Sequence, residues 1–121
     1  MSETISWNYV AQALNGPSLS GAGDLTVDAY DKIEVTITAG ATQQVDLVPS
    51  GAVSLLAINP AAPDVKLTYK VGSKVIALDG PHVLIGTGAV SLLGGATSLS
   101  FTNNTAADAT IEILIGRDAT P

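Results

Sequence analysis

The residues of this chain that could do chemistry are few and scattered. A single histidine, His82, follows Asp79-Gly80-Pro81, so a carboxylate lies near an imidazole that it could orient for acid–base work. The stronger reading is a turn aspartate bonding its own backbone beside a surface histidine. There is no cysteine, and no serine stands in a nucleophile-elbow setting, so the spacing recommends no catalytic triad. Asp24, Asp28 and Asp31 could offer hard oxygen ligands to calcium, but they lack the alternating spacing and central glycine of an EF-hand loop. They read better as a solvated acidic edge that discourages edge-to-edge pairing. Lys66, Lys70 and Lys74 lie on or beside one hairpin, the first two on one strand face. They could meet an acidic partner surface or simply keep that face solvated. Asn103-Asn104-Thr105 matches a glycosylation acceptor, which carries meaning only in a secreted chain.

Aromatic residues are equally sparse: Trp7, Tyr9, Tyr30, Tyr69 and Phe101. Tyr69 and Phe101 fall in the core phase of alternating segments and are expected to be consumed by packing. Ile5, Trp7 and Tyr9 alternate with Ser6 and Asn8 near the start of the chain. These three are the candidate partner-interface residues, because large aromatics in a terminal arm commonly dock on a partner. Their competing role is to cap the chain's own core.

Composition narrows the function classes. The 121 residues are 13% charged, about half the ~25% of an ordinary globular domain, while 46% are apolar. One domain is expected, with a core large enough to need neither disulfide nor metal. Net charge is −6, and residues 1–60 hold Glu3, Asp24, Asp28, Asp31, Glu34 and Asp46 against Lys32 alone. That balance argues against nucleic acid, whose binders carry a basic patch. No catalytic, cofactor or metal site is expected. The start lacks the basic and apolar regions of a signal peptide, and a soluble chain with its mature start near Met1 is expected. The most apolar stretch, Val75 to Leu93, is broken by Asp79, Pro81, His82 and three glycines, short of the ~20 apolar residues of a membrane span.

Few as they are, these residues must be placed by strands. Ile33, Val35 and Ile37 alternate with polar neighbours, as do Val65, Leu67, Tyr69 and Val71, then Leu99 and Phe101, then Ile111, Ile113 and Ile115. Shorter apolar runs at 45–48, 53–58, 74–78 and 83–85 predict more fully buried strands. Turn chemistry separates them. Gly72 suits a tight hairpin between Lys70 and Lys74, Val48-Pro49-Ser50-Gly51 a type I turn, and Asn59 to Asp64 and Asn103 to Asp108 loops. About eight short antiparallel strands predict an all-β fold, a single β-sandwich or jelly roll over residues 24–121. Residues 1–23 read as an N-terminal arm on a pliable connection, with an ordinary first strand and long loop as the alternative. A short helix over residues 7–14 is also open. The hexapeptide Gly51-Ala52-Val53-Ser54-Leu55-Leu56 recurs as Gly88-Ala89-Val90-Ser91-Leu92-Leu93, and both copies are read as turn followed by apolar strand.

The second half resembles small virion proteins of tailed bacteriophages, the decoration or cement class. The resemblance rests on texture: Leu78-Asp79-Gly80-Pro81 into Val83-Leu84-Ile85-Gly86, Leu99-Ser100-Phe101-Thr102-Asn103-Asn104-Thr105, and Ala107 through Arg117, with Thr/Ala/Gly/Val-rich strands and no cysteine. It implies a non-enzymatic subunit that oligomerises, often as a trimer, and stabilises a capsid lattice by binding the major capsid protein or other virion subunits. Its place would be the virion, assembled in the host cytoplasm. No catalytic residue carries over. Low surface charge agrees with this, since it leaves less protection against association. The rival expectations are a carbohydrate- or receptor-binding appendage and, last, a hydrolase or calcium-dependent enzyme using His82 and the aspartates.

Overall fold

Alternation of apolar and polar residues becomes strand almost wherever it occurs. A computed structural model describes residues 3–46, 52–93 and 98–118. The strands are β1 (Glu3–Gln12), β2 (Ser18–Val27), β3 (Ala29–Ile37), β4 (Thr42–Asp46), β5 (Ala52–Pro60), β6 (Asp64–Val71), β7 (Lys74–Leu78), β8 (His82–Ile85), β9 (Ser98–Asn103) and β10 (Ala109–Asp118). A single helical turn, α1 (Thr87–Val90), runs into a 3-10 turn over Ser91–Leu93.

Strands β3 to β10 build two four-stranded sheets, ordered β3-β10-β5-β8 and β4-β9-β6-β7, with every pairing antiparallel. Apart from the β6–β7 hairpin, consecutive strands alternate between the two sheets, so the order is that of a jelly roll, two interlocked Greek keys. The all-β sandwich expectation is met, and the strand order within it is that of a jelly roll. The core lies between the sheets. Ile111, Ile113 and Ile115 of β10 face Phe101 and Leu99 of β9 and Leu67 and Tyr69 of β6 within one buried cluster. Ile113 pairs with Ile33 on one side and Ile58 on the other, so the most buried strand is the one flanked by β-branched and apolar neighbours.

Outward faces are polar by the same two-residue period. Thr36 pairs with Thr110 and Thr42 with Thr102 through hydroxyl contacts of 3.2 and 3.1 Å. Lys32 meets Glu112 at 3.1 Å. The β6–β7 turn is the expected two-residue hairpin, with Val71 opposite Lys74 and Gly72 at φ 60°. The type I turn expected at Val48–Gly51 lies outside the described residues.

Four readings of the sequence need correction. Alternation puts Val65 in the core phase of β6, yet it is 65% exposed, because the register slips between Asp64 and Thr68. The Asp64 carboxylate accepts the Lys66 amide at 2.8 Å, a local turn within the stretch between Asp64, opposite Leu78, and Thr68, opposite Ala77, where the ladder is irregular. The segment 18–23, read as pliable, belongs to β2, and residues 7–12 are strand rather than helix. The repeated peptide does not fold twice the same way. Residues 52–56 are the start of β5, while residues 88–93 are helical turns. The first copy finds partners in β10 and β8. The second follows Gly86, whose φ of 94° ends β8, and Val90 closes on the Gly86 carbonyl at 3.1 Å. Val90 and Leu93 then pack against the core as a plug rather than as a strand.

Candidate interaction surface: the N-terminal hairpin

β1 and β2 pair only with each other, in register from Glu3 opposite Val27 to Gln12 opposite Ser18. The turn between them is closed by the Ala13 amide on the Pro17 carbonyl and the Gly16 amide on the Ala13 carbonyl, both at 2.9 Å, with Asn15 at φ 59°. Asparagine is one of the few side chains that accept that left-handed backbone. Alternation gives the ribbon two unlike faces. One carries Ser6, Asn8, Ser20 and Asp24, and the Ser6 hydroxyl donates to Asp24 at 2.9 Å. The other carries Ile5, Trp7 and Tyr9 opposite Leu25, Gly23 and Gly21.

The glycines explain how two large rings lie on a bare ribbon. A Cβ on Gly23 would stand 2.8 Å from the Trp7 ring, and one on Gly21 2.8 Å from the Tyr9 ring. Each ring therefore rests on the backbone of the glycine opposite, and the two rings stack 6.0 Å apart at an interplanar angle of 10°. Such aromatic cover of strand glycines replaces a missing side-chain contact. At its base the same face is rooted in the jelly roll. A Cβ on Gly116 of β10 would meet Ile5 at 2.9 Å, Val27 at 3.1 Å and Leu55 at 3.3 Å, so that glycine leaves the socket in which Ile5 and Val27 sit. The Asp28 amide bonds the Arg117 carbonyl at 3.0 Å, and the Arg117 side chain reaches Asp31 at 3.4 Å.

Ile5, Trp7 and Tyr9 thus share one face. Ile5 is half-buried against the chain's own sheet, while Tyr9 is 44% and Leu19 64% exposed further out. The parts played by Gly21, Gly23 and Gly116 were not anticipated. A signal existed for the first two, since Trp7-x-Tyr9 and Gly21-x-Gly23 have equal spacing.

Gly23→Ala is expected to lift the Trp7 ring off β2 and cost up to ~1 kcal/mol of cross-strand contact. Trp7 is the sole tryptophan, so its emission reads this change directly and should shift to the red.

The other candidates do not converge. His82 opens β8, and its Nδ1 lies 2.8 Å from the Tyr69 hydroxyl of β6, a bond that ties one sheet to the other. Asp79 has no part in that pair. Among the described residues no group of three or more His, Asp or Glu side chains could hold a metal ion. Asp24 and Asp31 are separately engaged, by Ser6 and Arg117. Lys66, Lys70 and Lys74 are exposed on β6 and β7. Asn103 is fully buried. Its amide donates to the carbonyls of Ile37 at 2.9 Å and Ala107 at 2.8 Å, so in the folded chain the apparent acceptor nitrogen is consumed by the structure.

Burial pushes the Tyr69 phenol up from 10 to about 12. The folded state thus holds the proton after the unfolded chain has lost it. The stability this represents is whole below pH 10 and falls as pH rises toward about 12, by at most ~1.4 kcal/mol per pH unit. Tyr69→Phe should cost about 1 kcal/mol near neutrality through the lost hydrogen bond. It should also remove part of the alkaline fall in denaturation midpoint, which urea titrations at rising pH would measure.

No protein-family model, curated protein or solved structure matches the chain. Fold and surface define it as an all-β jelly-roll protein bearing an N-terminal β-hairpin with an aromatic face.

Proposed function

We propose that this is a non-enzymatic virion structural protein, a decoration or cement subunit that oligomerises, with a trimer favoured, and stabilises a capsid lattice by binding the major capsid protein. The observation that carries the reading is the hairpin. From Thr4 to Gly23 it holds no charged residue, yet it forms a sheet of its own with an aromatic face on which Tyr9 is exposed and Trp7 partly so. Natural proteins blunt free strand edges with charge, proline or bulges. An isolated two-stranded ribbon is also marginal in water. Such an element suits a partner surface, and the dispersed titratable groups support a binding role over catalysis. The test is co-sedimentation of the purified chain with capsids assembled from a capsid gene encoded beside it. Saturable binding that Trp7→Ala weakens supports the proposal, and absence from the particles overturns it.

The parallel Trp7 and Tyr9 rings favour a second reading, a carbohydrate- or receptor-binding appendage, because flat rings that keep one face accessible can stack on sugar faces. Specific glycan-array hits lost on Trp7→Ala would select it.

A further inference from the structure

We propose that the hairpin of one copy lies on the β6–β7 ribbon of a second copy, with Trp7 and Tyr9 against Lys66, Lys70 and Val75. This rests on the oligomeric part of the function proposed above and names the surfaces that make the oligomer.

Charge selects the second surface. Residues 3–27 carry Glu3 and Asp24 and no base. Glu3 shares the face of Ile5, Trp7 and Tyr9 by strand alternation. The two ion pairs among the described residues use Lys32 and Arg117, which leaves Lys66, Lys70 and Lys74 without one. Those three lysines are most of the chain's basic charge, and all sit on β6 and β7. β7 is the free edge of its sheet. Val75 lies opposite Lys70 and is 63% exposed, which gives the ribbon apolar surface beside its charges.

Each surface offers two such groups on one strand: Glu3 and Trp7 are four residues apart on β1, ~13 Å along a regular strand, and Lys66 and Lys70 are four apart on β6, across its irregular start. An ammonium over an indole face is attracted by the ring, and its methylene stem covers apolar surface. One lysine can therefore meet the Glu3 carboxylate while the other lies on the Trp7 ring. The hairpin and the β6–β7 ribbon are different surfaces, so the contact is head-to-tail, and a ring of three is one closed solution.

Sedimentation velocity of the full chain without capsids, at micromolar concentration and in low and high salt, tests this. Wild type is expected to be oligomeric, with association weakened by salt. Lys66→Glu with Lys70→Glu should weaken it at least ~10-fold, and adding Glu3→Lys should restore part of the loss. Trp7→Ala, a second route to the same surface, should also give monomer while the thermal transition of the jelly roll is kept. Trp7 emission should change with concentration in wild type and stay constant in the lysine variant. A wild-type monomer, or a lysine variant that associates as wild type does, overturns the contact. A wild-type monomer also overturns the oligomeric part of the function proposed above, whereas an unaffected lysine variant overturns the contact alone; capsid co-sedimentation of that lysine variant reads lattice binding separately.

Discussion

Replacing Asn103 by leucine is expected to destabilise the protein by about 3–4 kcal/mol, out of the 5–15 kcal/mol typical of a domain. The reason lies in what the side chain holds. Its Nδ2 donates to the Ile37 and Ala107 carbonyls, and its Oδ1 accepts from the Thr105 amide at 2.9 Å and the Thr105 hydroxyl at 2.6 Å. Its backbone amide bonds the Ala41 carbonyl at 3.0 Å, and its carbonyl accepts from Gly40 at 2.7 Å. One buried residue thus joins the end of β3, the β3–β4 corner and the loop before β10. Leucine has nearly the same shape, so the volume is kept and the loss is polar. It strands acceptors and donors that cannot all reach water, each worth about 1–3 kcal/mol when left unpaired. The melting temperature should fall by roughly 10–15 °C. Asn104→Ala is the matched control: that side chain is exposed, and the change should stay within ~0.5 kcal/mol. Equal effects at the two positions would show that the hub does not carry the corner.

Phe101→Ala is expected to cost about 3–5 kcal/mol, the range for emptying a large buried site. Phe101 is fully buried on β9, which pairs with both β4 and β6 and so lies inside its sheet. Its ring centroid is 5.6 Å from that of Tyr69, tilted by 44°. Strands on both sides prevent the sheet from closing over the gap, so little of the cavity can collapse. Phe101→Leu refills most of the volume and should cost less than half as much. Denaturant midpoints would rank the two. Val83→Ala, at a 55% exposed position of edge strand β8, should barely register.

These positions differ in how readable they were. Phe101 and Tyr69 stood in the apolar phase of alternating segments, and burial follows from that phase once one face of a sheet is covered. Asn103 looked like a loop polar residue and a modification acceptor. Its role depends on carbonyls brought to it from β3 and from the loop before β10, and nothing local announces them. Val65 was misplaced for a related reason. Alternation assumes an unbroken ladder, and the turn closed by Asp64 breaks it. Trp7 and Tyr9 were visible as unclaimed aromatics, but the glycines that seat them lie across the hairpin.

The amino-acid sequence by itself determined that the chain would be strands with one apolar face each. A two-residue period admits no other regular structure that can bury those residues together. It also determined where charge would be absent, and hence which surface stands unprotected. The repeated peptide marks what only the tertiary structure decided. Ala-Val-Ser-Leu-Leu is strand at residues 52–56, where β8 and β10 offer backbone partners, and helical turns at residues 89–93, where the chain leaves β8 through Gly86 and must close its hydrogen bonds on itself. Local preference is worth tenths of a kilocalorie per residue, whereas an unpaired buried backbone group costs more than a kilocalorie. The available partners therefore decide the conformation, and partners belong to the fold as a whole.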